Sequence, residues 1–174
     1  MDKRRVLTPS LFGLAAILFL LPFFSVSCSG EAVEQLQDVG VDRSRLRIEL
    51  TGADLVLGRI PNREARAAYR ELEGPGIAHP LAIALAAVVF GAILLSGLPG
   101  RPGAAAAAVL GLVAFALLML LGWAVDKEVH ERTMRSAHEF VFVRWEEGAW
   151  AVAGLTALAS AHGLLRVRRH ERGS

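Results

Sequence analysis

Charged residues are missing from four long stretches of the chain, at 6–30, 74–100, 102–125 and 148–165. A soluble domain interrupts its apolar face every few residues, whereas a membrane helix needs roughly 18 to 20 apolar residues to cross a core of about 30 Å. The pattern therefore predicts four transmembrane helices, at about 7–25, 78–98, 104–125 and 149–165. Between them lie two larger polar loops, 29–77 and 126–147, and one short connection, Gly97-Leu-Pro-Gly-Arg-Pro-Gly103. That connection is dense in chain breakers, so spans two and three read as a tight antiparallel hairpin. Pro9 and Pro80 suit first helical turns, and Pro22 predicts a kink or an early end to span one.

The loops carry other periods. Arg45-Leu-Arg-Ile-Glu-Leu50 alternates polar and apolar, which predicts a half-buried strand. Gly52 and Gly58 punctuate the segment after that strand. Ala65, Ala68, Tyr69 and Leu72 fall at helical spacing within 62–73, before Gly74-Pro75-Gly76. The composition from Asp126 to about His138 suits an extension of span three. Glu139-Phe-Val-Phe-Val-Arg-Trp145 reads as a second strand. A lone hairpin is marginal in water, so the strands of the two loops are expected to pair. The fold class expected is a membrane all-α four-helix bundle, forming a single integral domain over 1–174. A small extracytoplasmic sheet-and-helix cap would be built from the two loops.

Charge gives that bundle an orientation. Lys3, Arg4 and Arg5, the lone Arg101, and Arg166, Arg168, Arg169 and Arg172 share one side, with only Asp2 and Glu171 to oppose them. The other side is net acidic. Cationic flanks are retained in the cytoplasm, so both termini are expected inside and both larger loops outside, in a bacterial inner membrane. The sequence pI of about 9.2 then reflects anchoring charge beside anionic lipid. No aromatic residues interleave with the basic tail, so nucleic acid is not an expected partner. Trp123, Trp145 and Trp150 fall near the outer ends of spans three and four, where indoles anchor at headgroup level.

Small residues suggest how the helices meet. Ala149, Ala153, Ala157 and Ala161 recur every four residues, flanked by Gly154 and Ser160, and Ala107 and Gly111 share that spacing. Apolar side chains gain little by leaving lipid, so close backbone approach at small residues drives association. These stripes are expected to pack the bundle or to join copies of the chain; the spacing fits both.

Candidate chemistry is sparse. Cys28 is the only cysteine, which excludes an intrachain disulfide and a two-cysteine redox motif. Residues 1–28 are read as an uncleaved span with a thiol at its outer end. The alternative is a lipoprotein-type signal ending in Ser25-Val-Ser-Cys28, with lipidation of Cys28. Five histidines are present, but His79 and His162 belong to opposite faces, which argues against a haem pair. His130 and His138 lie about 80° apart on a helix and match no zinc-protease spacing. No Asp, Glu, Lys or Arg falls inside a span, unlike most pumps and ion-coupled transporters. No catalytic residue, cofactor or metal ligand is assigned.

The order "apolar span, Phe24-Ser-Val-Ser-Cys28-Ser-Gly30, then Leu50-Thr-Gly-Ala-Asp-Leu-Val-Leu-Gly58" resembles a group of uncharacterised bacterial four-span membrane proteins. Val141-Phe-Val-Arg-Trp-Glu-Glu-Gly-Ala-Trp150 is similar to their strand leading into the last span. The chain departs from them by its insertion between Gly30 and Leu50 and by the charges from Arg144 to Glu147. The resemblance implies topology and no activity. The layout also resembles the claudin type, without its paired cysteines, so that likeness is architectural. The expected function is a non-enzymatic binding, scaffold or accessory subunit acting through its outer loops. Its partners would be the bilayer and an envelope protein or a second copy. An oligomeric pore and a membrane subunit of a larger enzyme are the alternatives.

Overall fold

A computed structural model describes residues 3–28, 47–59, 79–132 and 141–172. The chain runs α1 (Lys3–Leu18), β1 (Pro22–Cys28), β2 (Arg47–Thr51), α2 (Gly52–Leu57), α3 (Pro80–Ser96), α4 (Gly100–Arg132), β3 (Val141–Trp145) and α5 (Glu147–Arg172). The four longer helices form a ring in which α1 packs on α3 and α5, and α4 packs on α3 and α5. Element order sends them alternately up and down. The strands gather at the end where α1 finishes and α5 begins.

The helices are of two kinds. α4 has 33 residues and α5 has 26, about 50 and 39 Å at 1.5 Å per residue. Both contain stretches long and apolar enough to cross a membrane, at Gly100–Val129 and Glu147–Arg169. α1 and α3 are shorter, with apolar parts at Leu7–Leu18 and Pro80–Ser96.

The first apolar run is not one helix over 7–25. α1 ends at Leu18, and the next segment is an extended strand. Pro22 cannot donate to a helical ladder and stands at the strand's first position. From Phe24 the chain alternates Phe-Ser-Val-Ser, the period of a strand with two unlike faces. Pro9 lies within α1 rather than in its first turn, because the helix begins at Lys3.

The sheet has three antiparallel strands in the order β2-β1-β3. The two expected loop strands are present, at Arg47–Thr51 and Val141–Trp145, but they do not pair with each other. β1, from the first apolar run, lies between them. Phe24 is opposite both Leu50 and Trp145, and Val26 is opposite both Ile48 and Val143. Ser25 is opposite both Glu49 and Arg144. One face is thus apolar and packs toward the bundle, while the other carries the polar row.

β2 runs directly into α2. Thr51 Oγ1 accepts from the Asp54 N–H at 3.0 Å, and the Asp54 carboxylate accepts from the Thr51 N–H at 3.1 Å. This capping box starts α2. Gly58 ends it with φ 62°, a left-handed conformation in which glycine carries no Cβ penalty. Gly52 must be small: a Cβ there would lie 2.9 Å from both the Phe19 and Phe23 rings.

α3 begins at Pro80 and turns through 97–99 into α4, which starts at Gly100, four residues before the expected boundary. α4 continues to Arg132, past Val125. The amphipathic segment 62–73 and the segment 133–138 lie outside the described residues.

Candidate functional site

Two regions collect the polar and aromatic groups that the bundle does not need for bulk packing. One is the sheet with the ends of α4 and α5. The other is the opposite end, where α1 begins and α5 finishes.

At the sheet, Phe23 and Phe24 are fully buried. Phe23 meets Phe19 at 5.1 Å and Phe24 edge-on at 6.4 Å. Phe24 meets Trp145 edge-on at 5.4 Å, the T-shaped geometry that aromatic quadrupoles favour. The Trp145 ring lies directly on Gly122 of α4, in the space that a Cβ there would need. Trp145 is therefore half-buried in the join between sheet and bundle, where the sequence suggested a peripheral anchor. Trp150 lies 5.4 Å from Trp145 and is 61% exposed; Trp123 is 63% exposed. Lys127 Nζ stands 5.4 Å from the Trp123 ring centre, within cation–π range.

On the polar face, the buried Ser25 hydroxyl donates to the Glu146 carboxylate. The Glu146 N–H donates to the Phe23 carbonyl at 2.9 Å, and its own carbonyl accepts from the Trp150 N–H at 3.3 Å. Glu146 thus ties the central strand to the first turn of α5. Cys28 is the last residue of β1, opposite Val141. Cleavage before Cys28 would remove α1 and nearly all of the central strand.

The small-residue stripes divide. Ala107 and Gly111 are buried on α4. A Cβ on Gly111 would lie 2.8 Å from the Thr156 carbonyl oxygen. On α5, Ala149 and Ala153 are buried, whereas Ala157 and Ala161 are exposed. A strict four-residue step advances about 40° around a helix each time, so the stripe winds away from α4. The buried face instead runs from Val152 to Thr156, then to the adjacent Ala159 and Ser160, then to Gly163, at helical spacing. Its hydroxyls are committed to backbone: Thr156 donates to the Val152 carbonyl at 2.9 Å, and Ser160 crosses to the Ala108 carbonyl at 2.8 Å.

The other end holds groups that sequence reasoning passed over. Thr8 is fully buried, and its hydroxyl is hydrogen-bonded to His162 Nδ1 at 2.9 Å, joining α1 to α5. Ser96 Oγ and Arg166 Nη1 are buried without a hydrogen-bond partner among the described residues. His162 and Arg166 are four apart on α5, hence on one face. The signal in the sequence was His162, a titratable side chain within a run otherwise lacking charge, one turn before the first arginine.

Among the described residues no group of three His, Cys, Asp or Glu is placed to hold a metal. His138 lies outside them. No protein-family model matches the chain, and no curated protein or solved structure matches it.

Proposed function

We propose that this chain is a four-span protein of a bacterial inner membrane, with both termini and the 97–99 turn in the cytoplasm. It acts as a non-enzymatic binding or accessory subunit through its extracytoplasmic cap. The observation that carries the membrane reading is the outer surface of the helices. Leu14 and Ile17 on α1, Ile83, Phe90 and Leu94 on α3, Leu112 and Leu120 on α4, and Leu158 on α5 are all exposed. Only 39% of the apolar window of α4 and 44% of that of α5 are buried in the chain itself. A soluble core helix hides most of its apolar surface, and patches this extensive mark a lipid or protein contact. α1 and α3 fall short of a full crossing, and the apolar strand β1 with the Phe19–Phe24 cluster continues the first of them to the headgroup level.

The accessory role is supported by the distribution of polar groups. The hydroxyls of α5 that face the bundle serve the backbone, while the sheet holds its charged row on the face away from the bundle. Reporter fusions test the topology: a C-terminal fluorescent fusion is expected to be active, and a C-terminal phosphatase fusion inactive. The reverse result overturns the orientation. Photocrosslinkers placed in cells at Phe142 or Arg144 test the cap. A discrete protein adduct is expected there and none from the lipid-facing Leu112; no adduct from either cap position counts against the accessory role. Intact mass of the extracted protein is expected to include residues 1–27, because the central strand requires them. A diacylglyceryl adduct on an N-terminal Cys28 would overturn that expectation.

A further inference from the structure

The core of the bundle ends in a polar layer. Phe12, Ala92, Ala107 and Ala159 form one buried cluster, with a residue from each of the four longer helices. One turn nearer the termini of α1 and α5, the corresponding positions are Thr8, Ser96, Ala104 or Gly103, and Gly163, all buried. Thr8 is bonded to His162, which fixes that imidazole beside α1. One turn further along α5 stands Arg166, with Nη1 buried and unpartnered among the described residues. Ser96 Oγ is the second orphan in this layer. A buried guanidinium N–H without an acceptor is costly. Arg101, Arg168 and Arg169 are exposed at the same end.

We propose that Arg166, beside the Thr8–His162 pair, binds a phosphate group at this end of the bundle. A planar guanidinium offers paired donors that match phosphate oxygens. Basic sites between membrane helices on the cytoplasmic side take lipid headgroups in this way. The group can be the headgroup of an anionic phospholipid or a free phosphate. The exposed arginines raise the local anion concentration, while Arg166 supplies the fixed contact. This rests on the membrane reading above.

The full-length protein is first floated with phosphatidylcholine vesicles with and without phosphatidylglycerol. Failure to float with either overturns the membrane reading and this site with it. Floated protein is then extracted in mild detergent and its retained lipids are counted by native mass spectrometry. Wild type is expected to retain phosphatidylglycerol, and Arg166→Gln to lose about tenfold of that retention, the scale of one charge-assisted hydrogen bond. Arg168→Gln removes the same charge from an exposed position and is expected to change retention little. Equal loss in both variants, or no loss in either, overturns lipid-headgroup binding at Arg166. If Arg166→Gln does not fold, Arg166→Lys decides: it keeps the charge and loses the fork, so severalfold weaker retention supports the site and wild-type retention overturns it. A parallel titration with inorganic phosphate identifies the source. Thermal stabilisation of wild type but not of Arg166→Gln by phosphate, without selective lipid retention, assigns the site to the free anion. The absence of both lipid retention and phosphate stabilisation overturns the site.

Discussion

The seam between α4 and α5 and the join between the sheet and α4 both rest on glycines, and they use them oppositely. At the seam, Gly111 and Gly163 let two backbones touch; a Cβ on Gly163 would lie 2.6 Å from the Ala108 amide nitrogen. At the join, Gly122 makes room for a ring, and the energy lies in Phe23, Phe24 and Trp145. The first is close backbone approach at small residues, the packing mode that suits a helix pair in the proposed membrane setting. The second is a water-type aromatic core, in which large side chains cover a small sheet. The cap can therefore tolerate backbone adjustment but not loss of a ring. The seam can tolerate neither a methyl group nor a shift.

Substitutions separate the two cases. Phe24→Ala is expected to have the largest effect, about 3–5 kcal/mol, read as a lowered midpoint of denaturant unfolding in detergent. It should also release Trp145, giving a fluorescence change that a seam variant does not. A loss under about 1 kcal/mol would show that the cap is not a packed core. Next comes Gly163→Ala, expected to cost about 1–3 kcal/mol because the added methyl meets backbone and cannot be avoided by a rotamer change. Gly154→Ala on the same helix is the control. A Cβ there meets nothing within 4 Å, so better helix propensity should stabilise by up to about 1 kcal/mol. Opposite signs for two identical substitutions would place the seam on one face of α5; equal signs would break that assignment. The smallest expected effect is Thr51→Ala, about 1 kcal/mol for loss of the capping box. It should appear as faster amide exchange in α2 with the rest of the bundle unchanged.

Legibility followed the range of the interactions. α4 and α5 could be placed from the chain because each is a long apolar run whose backbone bonds close within itself. The run at 6–30 could not be divided the same way. A continuous apolar segment is compatible with a buried helix and with a buried strand, and length favoured the helix. The alternation from Phe24 to Ser27 and the proline at 22 were the available signs. The Thr51-Gly-Ala-Asp54 box was likewise present in the sequence, read there as punctuation around two glycines. The Thr8–His162 pair was not legible at all: its partners are 154 positions apart, and no local period signals such a contact.

Composition and spacing alone therefore determined the apolar runs, the separation of basic flanks from acidic loops, and two of the three strands. These depend on local periodicity and on side chains meeting solvent or lipid one at a time. Tertiary structure decided which strand is central, which alanines of α5 turn inward, that Trp145 packs against the core, and that His162 is bonded to Thr8 of α1. Each of those depends on a partner from a distant segment. A helix stripe acquires a direction, and a polar side chain a neighbour, only when the other helices are in place.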